Sequence, residues 1–309
     1  MIKPRALKKG DTIAVVAPSS PATPEKVKNA KVQLEALGFN VIMGKSCYEK
    51  HGYLSGIDQI RADDINNMFM NKEVDGIICL RGGYGAAKTL EKLDLDMIKA
   101  NPKVFVGYSD ITALHLAMNQ ICQLITFHGP MAASDIAGGL DDYSKEHIIK
   151  AIMEPTPMGI LKNPEEIKTQ CLVKGKATGE IVGGNLALVT STMGTPFEIN
   201  TKGKLLFLEE IGEEPYRVDR MLTQLALAGK LDDAEGIILG DWNNCNPSKH
   251  NESLSLMEVF EEIIVPYQKP TVYDLKAGHC TPKLTIPFGV KATLNADEGI
   301  LIMEEAATI

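Results

Sequence analysis

The chain has 309 residues, of which 44% are hydrophobic and 23% charged, with a formal net charge of −8 at pH 7. That length favours two cores over one. The acidic balance excludes nucleic acid polymers as a general partner, since no basic surplus is available to neutralise phosphates, and it disfavours an anionic membrane surface.

Met1-Ile2-Lys3-Pro4-Arg5 leads into polar Lys8-Lys9-Gly10-Asp11 without the apolar run of a signal peptide, and no stretch reaches the length of a membrane span. A cytoplasmic protein is expected. Residues 12–17 (TIAVVA) read as a buried strand ending in Pro18-Ser19-Ser20. Residues 24–37 carry Val27, Ala30, Leu34 and Leu37 at helical spacing and close on Gly38. A strand over 41–43 follows, then a helix over 57–70 with Ile57, Ile60, Ile65 and Met68 on one side. A strand over 76–80 ends in Arg81-Gly82-Gly83-Tyr84-Gly85, with a helix from Ala86. A strand over 104–106 ends in Gly107-Tyr108-Ser109-Asp110 and opens a helix over 111–122; a strand over 124–127 ends in His128-Gly129-Pro130. Strands alternating with helices predict an α/β fold, an open parallel sheet covered on both faces, with ligands outside the carboxyl ends of the strands.

The pattern changes after a helix over 144–153. The turn-rich run Glu154-Pro155-Thr156-Pro157-Met158-Gly159 marks a boundary. The expected organisation is an α/β domain over 1–155, a linker over 156–172 and a β-rich domain over 173–309. In the second part a strand over 205–208 precedes a helix over 216–228 capped by Gly229. A strand over 236–239 and a helix over 254–264 follow, then short strands over 284–303.

Ser109 sits on a strand-to-helix turn, where free backbone N–H groups and a helix N-terminus can stabilise an oxyanion. The commoner role of such a serine is an N-cap. The glycines at 82, 83 and 85 fit neither the phosphate-loop nor the dinucleotide spacing, so they form either a tight βα turn or a backbone cradle for an anion. Glu209 and Glu210 end an apolar strand; either can orient an imidazole, or pair with Arg217 or Arg220 on the next helix. His279 lies in the small-residue loop Ala277-Gly278-His279-Cys280, and His128 is its rival for a catalytic role. His51, His147 and His250 read as surface residues, and His115 as packed inside a helix. The six scattered cysteines form no C-x-x-C pair, and no histidine cluster has metal-ligand spacing. Neither a metal nor a cofactor is expected. Trp242, the only tryptophan, reads as a packing anchor or a pocket wall.

Taken together, the blocks identify a family. Ala17-Pro18-Ser19, Arg81-Gly82-Gly83-Tyr84-Gly85, Gly107-Tyr108-Ser109-Asp110, Phe127-His128-Gly129-Pro130, Gly183-Gly184-Asn185-Leu186, Leu208-Glu209, residues 215–221 (PYRVDRM), Ile238-Leu239-Gly240 and Gly278-His279 occur in order. In this the chain resembles the LD-carboxypeptidases, serine peptidases that include murein tetrapeptide carboxypeptidases and microcin C self-immunity proteins. The resemblance implies a flavodoxin-like N-terminal domain, a barrel-like C-terminal domain and a cleft between them. It implies a triad of Ser109, Glu209 and His279, an oxyanion hole from the N–H groups of Gly83 and Asp110, and a homodimer. Arg81 is, by its charge and position, a candidate to hold a substrate carboxylate. The expected reaction is release of terminal D-Ala from a small murein peptide. The alternatives are hydrolysis of aminoacyl nucleotides and a binding protein without catalysis. In the microcin subgroup a loop tryptophan stacks on the nucleobase, and residues 159–184 contain no Trp, Tyr or Phe, which leans against a nucleotide substrate.

Overall fold

In a computed structural model of the protein, the structure is described for residues 1–248 and 252–309; His250 lies outside the described residues. The strands in chain order are β1 (Thr12–Val16), β2 (Asn40–Met43), β3 (Gly76–Cys79), β4 (Val104–Gly107), β5 (Thr126–His128), β6 (Gly159–Leu161) and β7 (Gln170–Val173). They continue with β8 (Lys176–Asn185), β9 (Leu205–Ile211), β10 (Gly236–Asn243), β11 (Thr271–Tyr273), β12 (Ile286–Phe288), β13 (Lys291–Asn295) and β14 (Ile300–Met303). The α-helices are α1 (Pro24–Ala36), α2 (Asp58–Met70), α3 (Leu95–Ala100), α4 (Thr112–Gln120), α5 (Asp142–Met153), α6 (Leu186–Ser191), α7 (Pro215–Leu227), α8 (Lys230–Asp233) and α9 (Leu256–Ile263).

The chain divides into two compact units. The first comprises residues 1–156, 285–289 and 306–309; the second comprises 157–284 and 290–305. The first unit is built on a sheet of order β12-β5-β4-β3-β1-β2, parallel except for the antiparallel edge strand β12. Without β12 the order is 2-1-3-4-5, that of flavodoxin. Strands β3 and β4 are buried at every position, as expected of central parallel strands covered on both faces. Helix α1 starts where the sequence dictates. Pro24 is pre-set for the first turn, and Thr23 Oγ1 accepts a hydrogen bond from the Lys26 N–H. It buries Val27, Ala30 and Leu34.

The second unit carries an eight-stranded mixed sheet, β6-β14-β13-β8-β9-β10-β11-β7. Its centre, β8 to β11, is parallel, and its flanks are antiparallel. Two details of this unit differ from expectation. Residues 156–172 supply β6 and part of β7, so they belong to this sheet and are no linker. Residues 285–289 leave the second unit, because β12 hydrogen-bonds to β5 of the first. Strands of three residues are too short to show a period, so their sheet membership is set by pairing. The helix expected from Ala86 is a 3₁₀ segment, Ala86–Lys92. Among the described residues, no helix is long and apolar enough to cross a membrane.

His115 is packed inside α4, as its position suggested. It is 1% exposed, edge-on to Phe105 and Phe288, and its Nε2 lies 2.9 Å from the Gly107 carbonyl. Burial pushes its pKa down to about 4. The folded state therefore resists protonation while the unfolded chain accepts it below about 6.5, so stability falls as pH drops from 6.5 towards 4. The expected loss from this group is about 3 kcal/mol. Burial raises the pKa of Asp110 and of Glu210, which act in the opposite direction. Denaturant melts of wild type and His115→Asn across that range isolate the histidine. The stability advantage of the wild type should shrink as pH falls; parallel curves would reject the assignment.

Candidate active site

In the first unit, β4 ends at Gly107 and the chain turns sharply. Ser109 has φ +64°, a left-handed conformation that a non-glycine residue seldom adopts. A 3₁₀ turn, Ser109–Ile111, leads from it into α4, and neither segment is capped by a side chain. The N-cap role therefore does not apply, and the half-buried hydroxyl sits on a strained turn at a strand's carboxyl end. Gly82 lies against it: a Cβ there would come 2.8 Å from Ser109 Cβ and 2.9 Å from Oγ. Gly83 has φ +120°, and a Cβ there would meet Ser20 Oγ at 2.3 Å. Gly82 thus lets backbone lie next to Ser109, and Gly83 lets it lie next to Ser20.

Asp110 fixes this arrangement through its side chain. It is 2% exposed, and its Oδ2 accepts from Ser19 Oγ at 2.6 Å and from the Ala86 N–H at 2.8 Å. One carboxylate thus ties the serine turn to the loops after β1 and β3. These loops flank the switch point of the sheet, where open α/β folds bind ligands. Burial raises the Asp110 pKa, and the bonds from Ser19 and Ala86 with the Arg61 charge oppose the rise. Arg61 on α2 was not anticipated. It is fully buried and donates from Nη1 to the carbonyls of Pro18 and Gly85, the latter at 2.7 Å, and from Nη2 to Asp58 Oδ1. Arg81 donates from Nε to the Gly82 carbonyl at 3.2 Å and from Nη1 to the Pro21 carbonyl at 3.4 Å, so it braces its own turn.

In the second unit, β9 presents Glu209 and Glu210 to opposite faces. Glu209 is 0% exposed, and its Oε2 lies 2.7 Å from His279 Nδ1. A carboxylate only accepts, so Nδ1 carries the proton and the lone pair of the neutral ring is on Nε2. Gly278 has φ +115°, and a Cβ there would come 2.5 Å from Glu209 Oε2. A glycine before His279 is thus a steric requirement of the Glu209–His279 hydrogen bond. The His279 carbonyl accepts from Asn243 Nδ2 at 2.7 Å. Glu209 Oε1 is buried and finds no hydrogen-bond partner among the described residues.

Glu210 does different work. Its oxygens accept from Asn185 Nδ2, the Ala187 N–H and the Ile211 N–H, each at 2.8 Å, which joins β9 to the start of α6. Neither glutamate pairs with the helix arginines: Arg217 bonds Glu213, and Arg220 lies over the Tyr216 ring. His128 is buried among Tyr108, His115 and Phe288. Trp242 packs edge-on against Phe260, as a packing anchor does. Among the described residues, no group of three or more His, Cys, Asp or Glu could hold a metal ion.

Two family models match the chain. One, for the LD-carboxypeptidase N-terminal domain, covers residues 13–129; the other, for the C-terminal domain, covers 178–294. A probable murein peptide carboxypeptidase of Bacillus subtilis is 46% identical over 304 residues, covering 98% of this chain and 94% of that protein. The microcin C7 self-immunity protein MccF of Escherichia coli is 30% identical over 96% of this chain and 94% of its own. A solved structure of MccF in complex with glutamyl sulfamoyl guanosine superposes with a TM-score of 0.92 at 27% identity, covering both chains fully. With both family models in order, and a relative this similar end to end, the chain belongs to the LD-carboxypeptidase family.

Proposed function

We propose that this carboxypeptidase uses Ser109 as nucleophile, His279 as general base and Glu209 as the acid that orients it. The observation that carries the reading is the 2.7 Å bond between a fully buried carboxylate and the imidazole of the Gly-His loop. His279 Nε2 takes the proton of Ser109 Oγ as the oxygen attacks the carbonyl before the terminal D-Ala. The N–H groups of Gly83 and Asp110 stabilise the oxyanion. The C–N bond then breaks, the imidazolium returns its proton to the leaving amine, and D-Ala departs. Water repeats the sequence on the acyl-enzyme. Arg81 is the candidate to receive the terminal carboxylate, which would restrict cleavage to the peptide end.

The substrate we assign is a murein tetrapeptide, cleaved between an L-centred diamino acid and D-Ala, in the cytoplasm and by a homodimer. Similarity to the probable murein peptide carboxypeptidase of B. subtilis supports the murein-peptide part of this assignment. The second reading, hydrolysis of an aminoacyl nucleotide, is favoured by the likeness to MccF with a glutamyl sulfamoyl nucleoside bound. The aromatic-free stretch 159–184 weighs against it. Incubation with a murein tetrapeptide and, separately, with an aminoacyl sulfamoyl adenosine decides between them. The expected outcome is D-Ala release from the first, abolished in Ser109→Ala. Cleavage of the nucleoside alone would reverse the assignment. Light scattering after gel filtration reads the homodimer directly.

A further inference from the structure

The loop that carries His279 has an unusual anchor. Asn163 lies between β6 and β7, in a stretch outside both segments matched to the family and within the run expected to be a linker. It is 5% exposed. Its Nδ2 donates to the Asp274 carbonyl at 2.6 Å, and its Oδ1 accepts from the Lys276 N–H at 2.7 Å. The two bonds leave no ambiguity about the amide's orientation, because one partner can only accept and the other can only donate. A single side chain thereby spans the backbone on either side of Leu275, three residues before Gly278-His279. Asp274 has φ +62°, so the chain here is in a conformation that needs outside support.

Other bonds lock the same segment to β10. The Leu275 N–H donates to the Leu239 carbonyl, and the Asp241 N–H to the Ala277 carbonyl at 2.9 Å. Lys276 Nζ pairs with Asp241 at 2.6 Å, and the Lys276 carbonyl accepts from the Leu284 N–H. These contacts come from β10 or from the loop itself. Asn163 supplies the restraint from a distant part of the chain.

We propose that Asn163 is a positioning residue for His279: its amide sets the path of residues 274–276 and so the height of the imidazole above Glu209. This rests on the reading of His279 as the base. Asn163→Asp tests it with nearly the same shape. An aspartate still accepts from the Lys276 N–H but places an oxygen against the Asp274 carbonyl. The loop should shift by a fraction of an ångström to about 1 Å, which for a misplaced catalytic group costs on the order of 10²-fold in rate.

The readout is the rate at which a fluorophosphonate labels Ser109, measured in wild type, Asn163→Asp, His279→Ala and the double variant, well below each melting temperature. We expect labelling to slow about 10²-fold in Asn163→Asp, with KM for a tetrapeptide within twofold of wild type, and no further slowing when the substitution is added to His279→Ala. Asn163→Ala, which removes both bonds without adding charge, should follow the same pattern and serves if the aspartate variant does not fold. Equal slowing in both backgrounds, or none in the wild-type background, overturns the role of Asn163 alone. Wild-type labelling in His279→Ala itself overturns the base assignment, and this inference with it.

Discussion

Glu209→Gln is expected to lower kcat for D-Ala release by about 10³–10⁴-fold with KM little changed. The side chain keeps its shape, so the substrate should bind as before. The negative charge that, in the proposed mechanism, stabilises the imidazolium is lost. A glutamine can also turn its NH₂ towards Nδ1, which moves the ring proton to Nε2 and removes the lone pair that the proposed mechanism needs there. Stability should move the other way. Glu209 is fully buried, and its Oε1 has no partner among the described residues, so the native protein carries an imperfectly compensated charge. Neutralising it relieves a desolvation cost. The melting temperature should hold or rise while activity collapses. A kcat within tenfold of wild type would remove Glu209 from the mechanism, and a lost fold would make it a structural residue.

The largest expected effect on stability lies on the neighbouring strand of the same sheet. Gly183 on β8 pairs with Phe207 on β9 and has φ +135°. A Cβ there would come 1.9 Å from the Phe207 carbonyl oxygen, and that oxygen is backbone and cannot swing aside. Gly183→Ala must therefore part β8 from β9, and the same ladder places Asn185 beside Glu209. We expect a loss on the order of 4 kcal/mol, or failure to fold. Gly212→Ala is the control. Its φ is +73°, but nothing lies within 4 Å of the added carbon, so only the backbone term of about 1–2 kcal/mol applies. Chemical denaturation of the two variants should give clearly different midpoints. Equal losses would show that conformation alone, and no clash, sets the cost.

Much of the first unit was legible because parallel strands and their crossover helices write long signals. Buried runs such as Gly76–Cys79 and Val104–Gly107 end at punctuating glycines and serines, and those strand ends are where the polar residues gather. The site motifs were also legible: Ser109 is on a strained turn, and Glu209 and His279 bond each other. The phase of α2 was not. The expected face held Ile57, Ile60, Ile65 and Met68, whereas the buried residues are Arg61, Ala62, Asp64, Ile65 and Phe69. Ile57 is 52% exposed. The helical period was right but the face was rotated, because hydrophobicity cannot announce a buried arginine. Arg61 is inside only because the carbonyls of Pro18 and Gly85 await it there. Asn163 was invisible for a similar reason. Its partners, Asp274 and Lys276, are more than 100 residues further along the chain, and an asparagine after a short strand reads as an ordinary loop residue.

The most direct test is mass-spectrometric mapping of a fluorophosphonate adduct on the intact protein, with its rate of formation followed in wild type and His279→Ala. A base-activated serine predicts one adduct, on Ser109, formed about 10³-fold or more slowly once the imidazole is gone. An adduct on another residue, or one on Ser109 that forms as fast without His279, would contradict it.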